Sequence, residues 1–311
     1  MTECLIEWNK LSLTEWDILF QQVRRSTLLQ SYPYAQAAGA CYRQRARWGL
    51  IRIEGVPAGL VQMLEAGLFG PCLHAVMVDR GPLWLPGYGA PEHHVAFWTR
   101  FDKDFPRRWG RRRRIIPEIE QPFAMLMPFA AVSHVKPYQT LWLDLSGAET
   151  DLRQGLDKKW RNALSKSERS GLRLEWSDSE EALSWLLLHH EVHRAEKKFH
   201  AASPRFVRLL ARYCRPRGEM LVGRVFCGDD PVAGVLFFRH GQSATYQLGW
   251  SGEAGRQYNA HHLLLWQGAL TLQERGVRDL DLGGINEEAE GVRLFKQGMG
   301  GESVILSGLY T

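Results

Sequence analysis

The sequence predicts an α/β protein built from two similar domains, and three observations lead there. A strand, turn and strand occur twice: ARWGLIRIEG followed by VPAGLVQMLEAG from Ala46, and GEMLVGRVFCGDDPVAGVLFFRHG over Gly218 to Gly241. Both second strands open on an Ala-Gly step, Ala58-Gly59 and Ala233-Gly234, about one domain length apart. Each hairpin follows helical patterns and precedes a glycine-marked segment, DRGPLW (Asp79 to Trp84) in one case and LGWSG (Leu248 to Gly252) in the other. Together these indicate an internal duplication.

The 311 residues are enough for two domains with a core each, and 45% hydrophobic with 23% charged residues are globular values. The formal charge of +5 is compatible with an anionic partner, and the basic residues cluster. Arg107 to Arg114 (RRWGRRRR) holds six arginines, and a second basic group spans Lys158 to Arg173. Five scattered cysteines without a CxxC spacing argue against a disulfide framework or a zinc knuckle and point to a reducing compartment. The N-terminal residues lack a signal-peptide pattern, and no apolar run approaches the roughly 20 residues of a membrane span. A cytoplasmic protein with no integral membrane segment is expected.

Taken in order, Leu13 to Arg25 has the spacing of an amphipathic helix, with Trp16, Leu19, Phe20 and Val23 on one face. Gln30-Ser31 before Tyr32-Pro33-Tyr34 reads as a helix entry, with Ser31 the N-cap and proline in the first turn. Pro91 to Arg108 is helical in pattern, and the arginine run is expected to close that helix and lead into the strand RRIIPEIEQP. Beside Trp109, the same run is a candidate contact for a polyanion, binding phosphates and stacking a base. TLWLDL (Thr140 to Leu145) alternates as a strand, and a domain boundary is placed near residues 138–140. Ala148 to Ser170 reads as one basic helix stopped at Gly171.

Glu180 to Lys197 is the next helix, and its His189, His190 and His193 lack a matched further ligand for zinc, so no metal is expected. Tyr246 to Trp250 is a strand, and Tyr258-Asn259-Ala260-His261-His262 opens an apolar helix ending at Gly276. The chain then reaches GVRDLDLGGINEEAEGVRLFKQGMGGE: a strand (Val277 to Leu282), a Gly-Gly pair, an acidic loop, and Phe295-Lys296 among glycines. Ser303 to Tyr310 reads as a closing strand.

Gln30-Ser31 with its aromatic, Arg80-Gly81-Pro82, KKWRNALSKSERSG, YQLGW, YNAHHLLLW, DLGG and FKQGMGG resemble, in that order, the motifs of the FemA/FemB/FemX family of aminoacyl-tRNA-dependent peptidyltransferases. The resemblance implies an α/β fold of two tandem GNAT-like (acyl-CoA N-acyltransferase-like) domains with mixed sheets flanked by helices. The first would span residues 1–139, completed by the strand 303–311, and the second residues 140–302. It implies an aminoacyl-tRNA donor, an amine acceptor on a peptide or small molecule such as a cell-wall precursor, and no cofactor.

The resemblance places Lys296 at the donor's phosphate or ester carbonyl and matches Arg194 to a contact with acceptor phosphate or carboxylate. Gln30, Ser31, Tyr34, Arg80 and Asn259 lie in its other motifs and are carried as substrate-binding candidates. Two departures concern the acceptor and the tRNA. Gln36 stands where bridge-forming members often carry lysine, and Leu145 to Glu180 has no room for the helical arm of some members.

Aminoacyl transfer from an ester needs a neutral amine, a stabilised oxyanion and a destination for protons. No Ser-His-Asp or Cys-His spacing stands out, which predicts direct attack in a ternary complex. Lys296 is the candidate oxyanion or phosphate stabiliser. Asp281 and Tyr246 are candidates for proton removal, against readings in which Asp281 caps a turn and Tyr246 packs in the sheet. Gly283, Gly284, Gly298, Gly300 and Gly301 would let backbone amides approach an anion. Arg111, Arg112, Arg113 and Arg114, with Lys158, Lys159 and Arg161, are the candidate tRNA contacts. Two other readings stay open: an acyl-CoA-dependent N-acyltransferase, disfavoured by the lack of a glycine-rich pyrophosphate loop at Arg256 to Ala260, and a non-catalytic nucleic-acid-binding protein on degenerate domains.

Overall fold

A computed structural model describes residues 2–68, 73–197, 199, 201–285 and 290–311. Cys72 and the acidic loop at 286–289 lie outside the described residues. The chain divides into two compact units, Met1–Gln139 with Val304–Thr311, and Thr140–Ser303.

Unit 1 runs β1 (Cys4–Trp8), α1 (Leu13–Phe20), α2 (Tyr32–Tyr42), β2 (Arg45–Ile53), β3 (Val56–Leu68), β4 (Leu73–Gly81), β5 (Leu83–Trp84), α3 (Pro91–Asp104) and β6 (Arg111–Pro117). Its sheet has the order β1-β2-β3-β4-β6, with β5 beside β3. The pairs are antiparallel except β4 with β6, which run parallel from His74↔Arg111 to Gly81↔Pro117. Phe97, Trp98 and Phe101 of α3 pack on Ile51, Val61, Val76 and Ile115, while Trp16 and Phe20 of α1 pack on Leu50 and Leu60. Alternating strand residues thus feed two separate apolar layers.

Ser31 caps α2 as expected, its hydroxyl accepting from the Tyr34 amide at 3.4 Å, with Pro33 in the first turn. Gln30 is fully buried and stands in for a strand. β3 and β4 pair only from Leu64↔Met77 to Leu68↔Leu73. Beyond that point the Gln30 amide bridges them, accepting from Gln62 N at 2.6 Å and donating to Gln62 O at 3.0 Å and Asp79 O at 2.8 Å. A Cβ on Gly81 would sit 2.7 Å from that amide, so the glycine of Arg80-Gly81-Pro82 makes the room.

Unit 2 runs β7 (Gln139–Asp144), α4 (Glu149–Gly155), α5 (Lys158–Glu168), β8 (Arg173–Ser177), α6 (Glu180–Lys197), α7 (Pro204–Cys214), β9 (Met220–Cys227) and β10 (Asp230–His240). It continues through β11 (Ser243–Ser251), α8 (Glu253–Gln257), α9 (Ala260–Glu274), β12 (Asp279–Gly284), α10 (Glu290–Gln297) and β13 (Glu302–Ile305). The strand order is β13-β7-β12-β11-β10-β9-β8. β10 is apolar along nearly its whole length because helices cover both faces of the sheet. Leu264, Trp266, Ala269 and Leu272 of α9 join one core with Val235, Phe237, Ala244 and Leu280.

The elements depart from the sequence reading at several points. The first helix ends at Phe20, and Arg25 is left-handed, although Val23 is still buried. The arginine run does not close α3: Arg111 to Arg114 are residues of β6, so their side chains alternate. The basic stretch Ala148 to Ser170 is two helices, because Leu156 is extended and Asp157 N-caps α5, accepting from Lys159 N at 2.8 Å and Trp160 N at 3.4 Å. Lys296 lies on a helix, α10, and α7 is an additional helix. The closing strand is β13 alone; after it, unit 1 is joined by single bridges, Glu120↔Leu306, Ile115↔Tyr310 and Ala131↔Tyr310.

Replacing Gln30 with alanine strands three buried backbone groups and is expected to destabilise the protein by about 3 kcal/mol. A urea titration checks this through a lower midpoint at unchanged slope.

Candidate active site

The site is organised by two parallel strands that part. β11 and β12 pair at Ser243↔Asp279, Ala244↔Leu280 and Thr245↔Asp281. β11 then runs on to Ser251 and β12 to Gly284 without further pairing between them. Tyr246 is the first residue beyond the last pair, at the carboxyl ends of the strands, the position at which α/β sheets commonly bind ligands.

Asp281 holds the opening. Its Oδ1 accepts from the Gly283 amide at 2.8 Å and from Thr140 Oγ1 at 2.5 Å, and the side chain is 2% exposed. The carboxylate thus fixes the turn at the strand end, the capping reading of the sequence. Gly283 has φ +75°, a conformation that favours glycine.

Lys296 reaches the same place from α10. Its side chain is buried, at 7% exposure, with Nζ donating to Gly284 O at 2.8 Å and lying 5.5 Å from the Tyr246 ring centroid. Burial lowers the lysine to about 8, partly offset by the Asp281 carboxylate. A buried ammonium on the edge of deprotonation, held at the ends of two parting strands, is a candidate functional group.

Opposite it, the Tyr246 hydroxyl lies 3.0 Å from His261 Nε2. Burial pushes the tyrosine well up and the histidine down to about 4, so at neutral pH the pair is phenol and neutral imidazole. His261 Nδ1 is buried with no partner among the described residues. The hydroxyl and the ring share one hydrogen bond, and which of the two donates is set by the histidine tautomer. Gly249 makes this pair possible: a Cβ there would stand 2.4 Å from the Tyr246 hydroxyl and 2.5 Å from the His261 ring.

An aromatic wall completes the site. His262 and Phe295 are 4.9 Å apart between ring centroids, and Trp160 of α5 lies 4.9 Å from His262 and 6.0 Å from Phe295. A Cβ on Gly298 would meet Trp160 at 2.6 Å, and one on Gly300 (φ +77°) would meet the Gly155 carbonyl at 2.3 Å. The glycines after Lys296 therefore seat the break between α4 and α5, an arrangement sealed by Asp157 N donating to Gly298 O at 2.8 Å.

Of the candidates read from sequence, the structure brings together Lys296, Asp281, Tyr246, Gly283 and Gly284, with Gly298 and Gly300 in the supporting loop. Lys158 and Lys159 are exposed on the first turn of α5, beside Trp160, and Arg161 bonds Gln154 O at 3.5 Å. Asn259 is left-handed and makes no side-chain cap to α9. Arg194 forks onto Glu191 of its own helix at 2.7–3.1 Å.

Gln30, Ser31, Tyr34 and Arg80 are side chains of unit 1. Gln30 and Ser31 are committed to the contacts above, Tyr34 is partly buried, and Arg80 (φ +56°) forks onto Glu118 with two bonds of 2.7 Å. The β6 arginines split by face: on one, Arg113 is buried against Asp102 at 2.5 Å and the Phe129 ring and half-buried Arg111 donates to Pro106 O at 3.2 Å over the Phe105 ring; on the other, Arg112 and Arg114 are exposed, with Arg114 paired to Asp79. Sequence reasoning does not reach His261, His262, Trp160 and Gly249 as site residues. Paired histidines opening an otherwise apolar helix, and a glycine three residues after a strand tyrosine, are the signals that point to them.

Residues 151–293 match a family model described as an acetyltransferase (GNAT) domain; the match ends just short of Lys296. No curated protein matches the sequence. Among solved structures the chain is similar to FemX, with a TM-score of 0.80 and 14% identity over 98% of this chain and 96% of that one. It is also similar to a conserved protein of unknown function from Bacteroides thetaiotaomicron (TM-score 0.57, 12% identity, 97% and 98% covered). A tandem GNAT protein from the clavulanic acid biosynthesis pathway is a third (TM-score 0.52, 13% identity, 97% of each covered). The fold is the expected FemX-like tandem GNAT fold, two mixed sheets flanked by helices, and with the domain match it supports an acyltransferase.

The buried lysine makes stability depend on pH with a definite sign. Its folded value, about 8, is below the ordinary 10.5, so the penalty for the buried charge is full below pH 8 and disappears between pH 8 and 10.5. Relative to Lys296→Met, the wild type should gain stability on the order of 3 kcal/mol as pH rises through that window. Unfolding titrations of both proteins at pH 7, 9 and 10.5 check it; a constant difference would show that the lysine does not titrate in the fold.

Proposed function

We propose that this protein is an aminoacyltransferase that moves an amino acid from aminoacyl-tRNA to an amine acceptor on a peptide or small molecule, such as a cell-wall precursor. The observation that carries the reading is the buried Lys296 ammonium at the parted ends of β11 and β12, facing the Tyr246–His261 pair. The neutral acceptor amine attacks the ester carbonyl carbon, and Lys296 stabilises the oxyanion that forms. The carbon–oxygen bond to the ribose then breaks. The Tyr246 phenol, held protonated by burial, supplies the proton that the leaving oxygen takes up, and the amine's own proton returns to the phenol oxygen. Asp281 acts as turn-holder and counter-charge to Lys296, and no covalent enzyme intermediate is needed.

Lys158 and Lys159, on the helix turn beside Trp160, are suited to the phosphates of the tRNA end. No helix among the described residues is long and apolar enough to cross a membrane, so an acceptor at a membrane surface would be met from one side.

Transfer from acyl-CoA is the second reading, and the GNAT domain match favours it. Against it stands the segment before α9, where a pyrophosphate would need free backbone amides. Those of Arg256, Tyr258 and Asn259 are already spent on Gly252 O, Ala254 O and Arg256 O at 3.0–3.2 Å.

The test is donor deacylation, measured with a pool of charged tRNA and separately with acyl-CoAs, in the presence of candidate amines. Turnover of charged tRNA is expected, falling about 10²- to 10³-fold in Lys296→Ala. Consumption of acyl-CoA with charged tRNA inert would move the assignment to the second reading.

A further inference from the structure

At one end of the unit 1 sheet, where β2 begins, β3 ends and β4 and β6 begin, two adjoining cavities of about 560 and 540 Å³ share Gly67, His74 and Arg111. The first is walled by Arg43, Arg45, Arg47 and Arg108 together with Arg111. Glu65 is its single carboxylate, and it is already engaged by Arg47 at 2.5 Å and His74 at 3.0 Å. Arg43 and Arg45 are exposed and have no ion-pair partner among the described residues. Arg111 Nε is buried without a hydrogen-bond partner, and burial with the neighbouring Arg108 lowers its guanidinium. Five arginines and one carboxylate round the hollow leave it positive, a field that draws an anion.

The second cavity differs in kind. Its walls are small, Ala66, Gly67, Ala75 and Gly110, and at its rim Trp109 is 89% exposed, with Arg112 beside it. An open recess bordered by an exposed indole and next to a guanidinium-lined hollow suits a planar base attached to phosphates. Two such cavities in line exceed the needs of one phosphate.

We infer that this cleft of unit 1 binds a single-stranded segment of nucleic acid, the backbone phosphates in the hollow of Arg43, Arg45, Arg108 and Arg111 and a base stacked on Trp109. None of these residues is in the candidate active site, so the inference stands independently of the donor assignment. The sequence points to only part of the cleft, because Arg43 arrives from the end of α2 and Arg45 and Arg47 from the start of β2, whereas Arg113 and Arg114 turn away to Asp102 and Asp79.

The test is fluorescence anisotropy of a labelled 12-nucleotide single-stranded RNA with the full chain, titrated at several salt concentrations. Binding is expected at low salt. The double variant Arg43→Ala/Arg45→Ala should weaken it about tenfold or more and flatten the log–log salt slope by about 1.4, roughly 0.7 for each phosphate no longer neutralised. Trp109→Ala should weaken it about tenfold with the slope unchanged. All three side chains are exposed, and circular dichroism confirms that the variants fold. Absence of wild-type binding, or variants that bind like wild type, would overturn the inference. So would ATP displacing the strand at equal nucleotide concentration, which would assign the cleft to free nucleotides. Binding to phosphatidylglycerol vesicles but not to RNA would assign it to a lipid surface and also overturn it. Turnover of charged tRNA is read separately, so failure here and failure of the transfer reaction are distinguishable.

Discussion

The parting of β11 and β12 after Thr245 and Asp281 is the constraint on which the rest of unit 2 depends. Two parallel strands that separate leave backbone groups without ladder partners, and in a covered sheet each must find another. Asp281 takes the Gly283 amide and Lys296 takes the Gly284 carbonyl. The groups that complete the sheet are therefore the ones that fill the cleft. The lysine is held charged in a dry place because a carbonyl and a nearby carboxylate receive it, and that same reception aims it at the opening.

Around this point glycine acts as a spacer. Gly249 leaves the volume that the Tyr246 hydroxyl and His261 ring occupy, and Gly298 leaves that of Trp160. Neither has a positive φ, so the requirement is for absent side-chain volume. Gly300 is different, combining φ +77° with a carbonyl 2.3 Å from where a Cβ would be. A glycine-rich stretch can thus serve side-chain packing and backbone apposition at once, and FKQGMGG does both.

Much of this is legible in the sequence. The two hairpins, the Ser31 cap and the helix over Glu180 to Lys197 follow from periodicity and capping chemistry acting locally, which a sequence displays. The failures have non-local causes. Asp157 divides a helix because it meets Gly298, a partner 141 residues further along the chain. The arginines of β6 read as a helix end because periodicity cannot announce that β4 waits to pair with them. Lys296 is identifiable by motif, whereas its surroundings of His261, Phe295 and Trp160 emerge only when α5, α9 and α10 converge. Gln30 carries a structural task that no local pattern announces: the residue its motif marks as a substrate-binding candidate also closes the gap between β3 and β4.

The return of residues 304–311 to unit 1 bears on how the protein is made. Tyr310, 3% exposed, bridges Ile115 and Ala131, and its backbone exchanges hydrogen bonds of 3.0 and 2.8 Å with Ile115. Domains usually fold as they leave the ribosome, at about 5–20 residues per second. Here the earlier unit has to wait with a vacant edge while the whole later unit is translated, on the order of ten seconds or more at that rate. Through that interval its first-made half is a nascent sheet with unpaired strand groups, the kind of surface that chaperones cover.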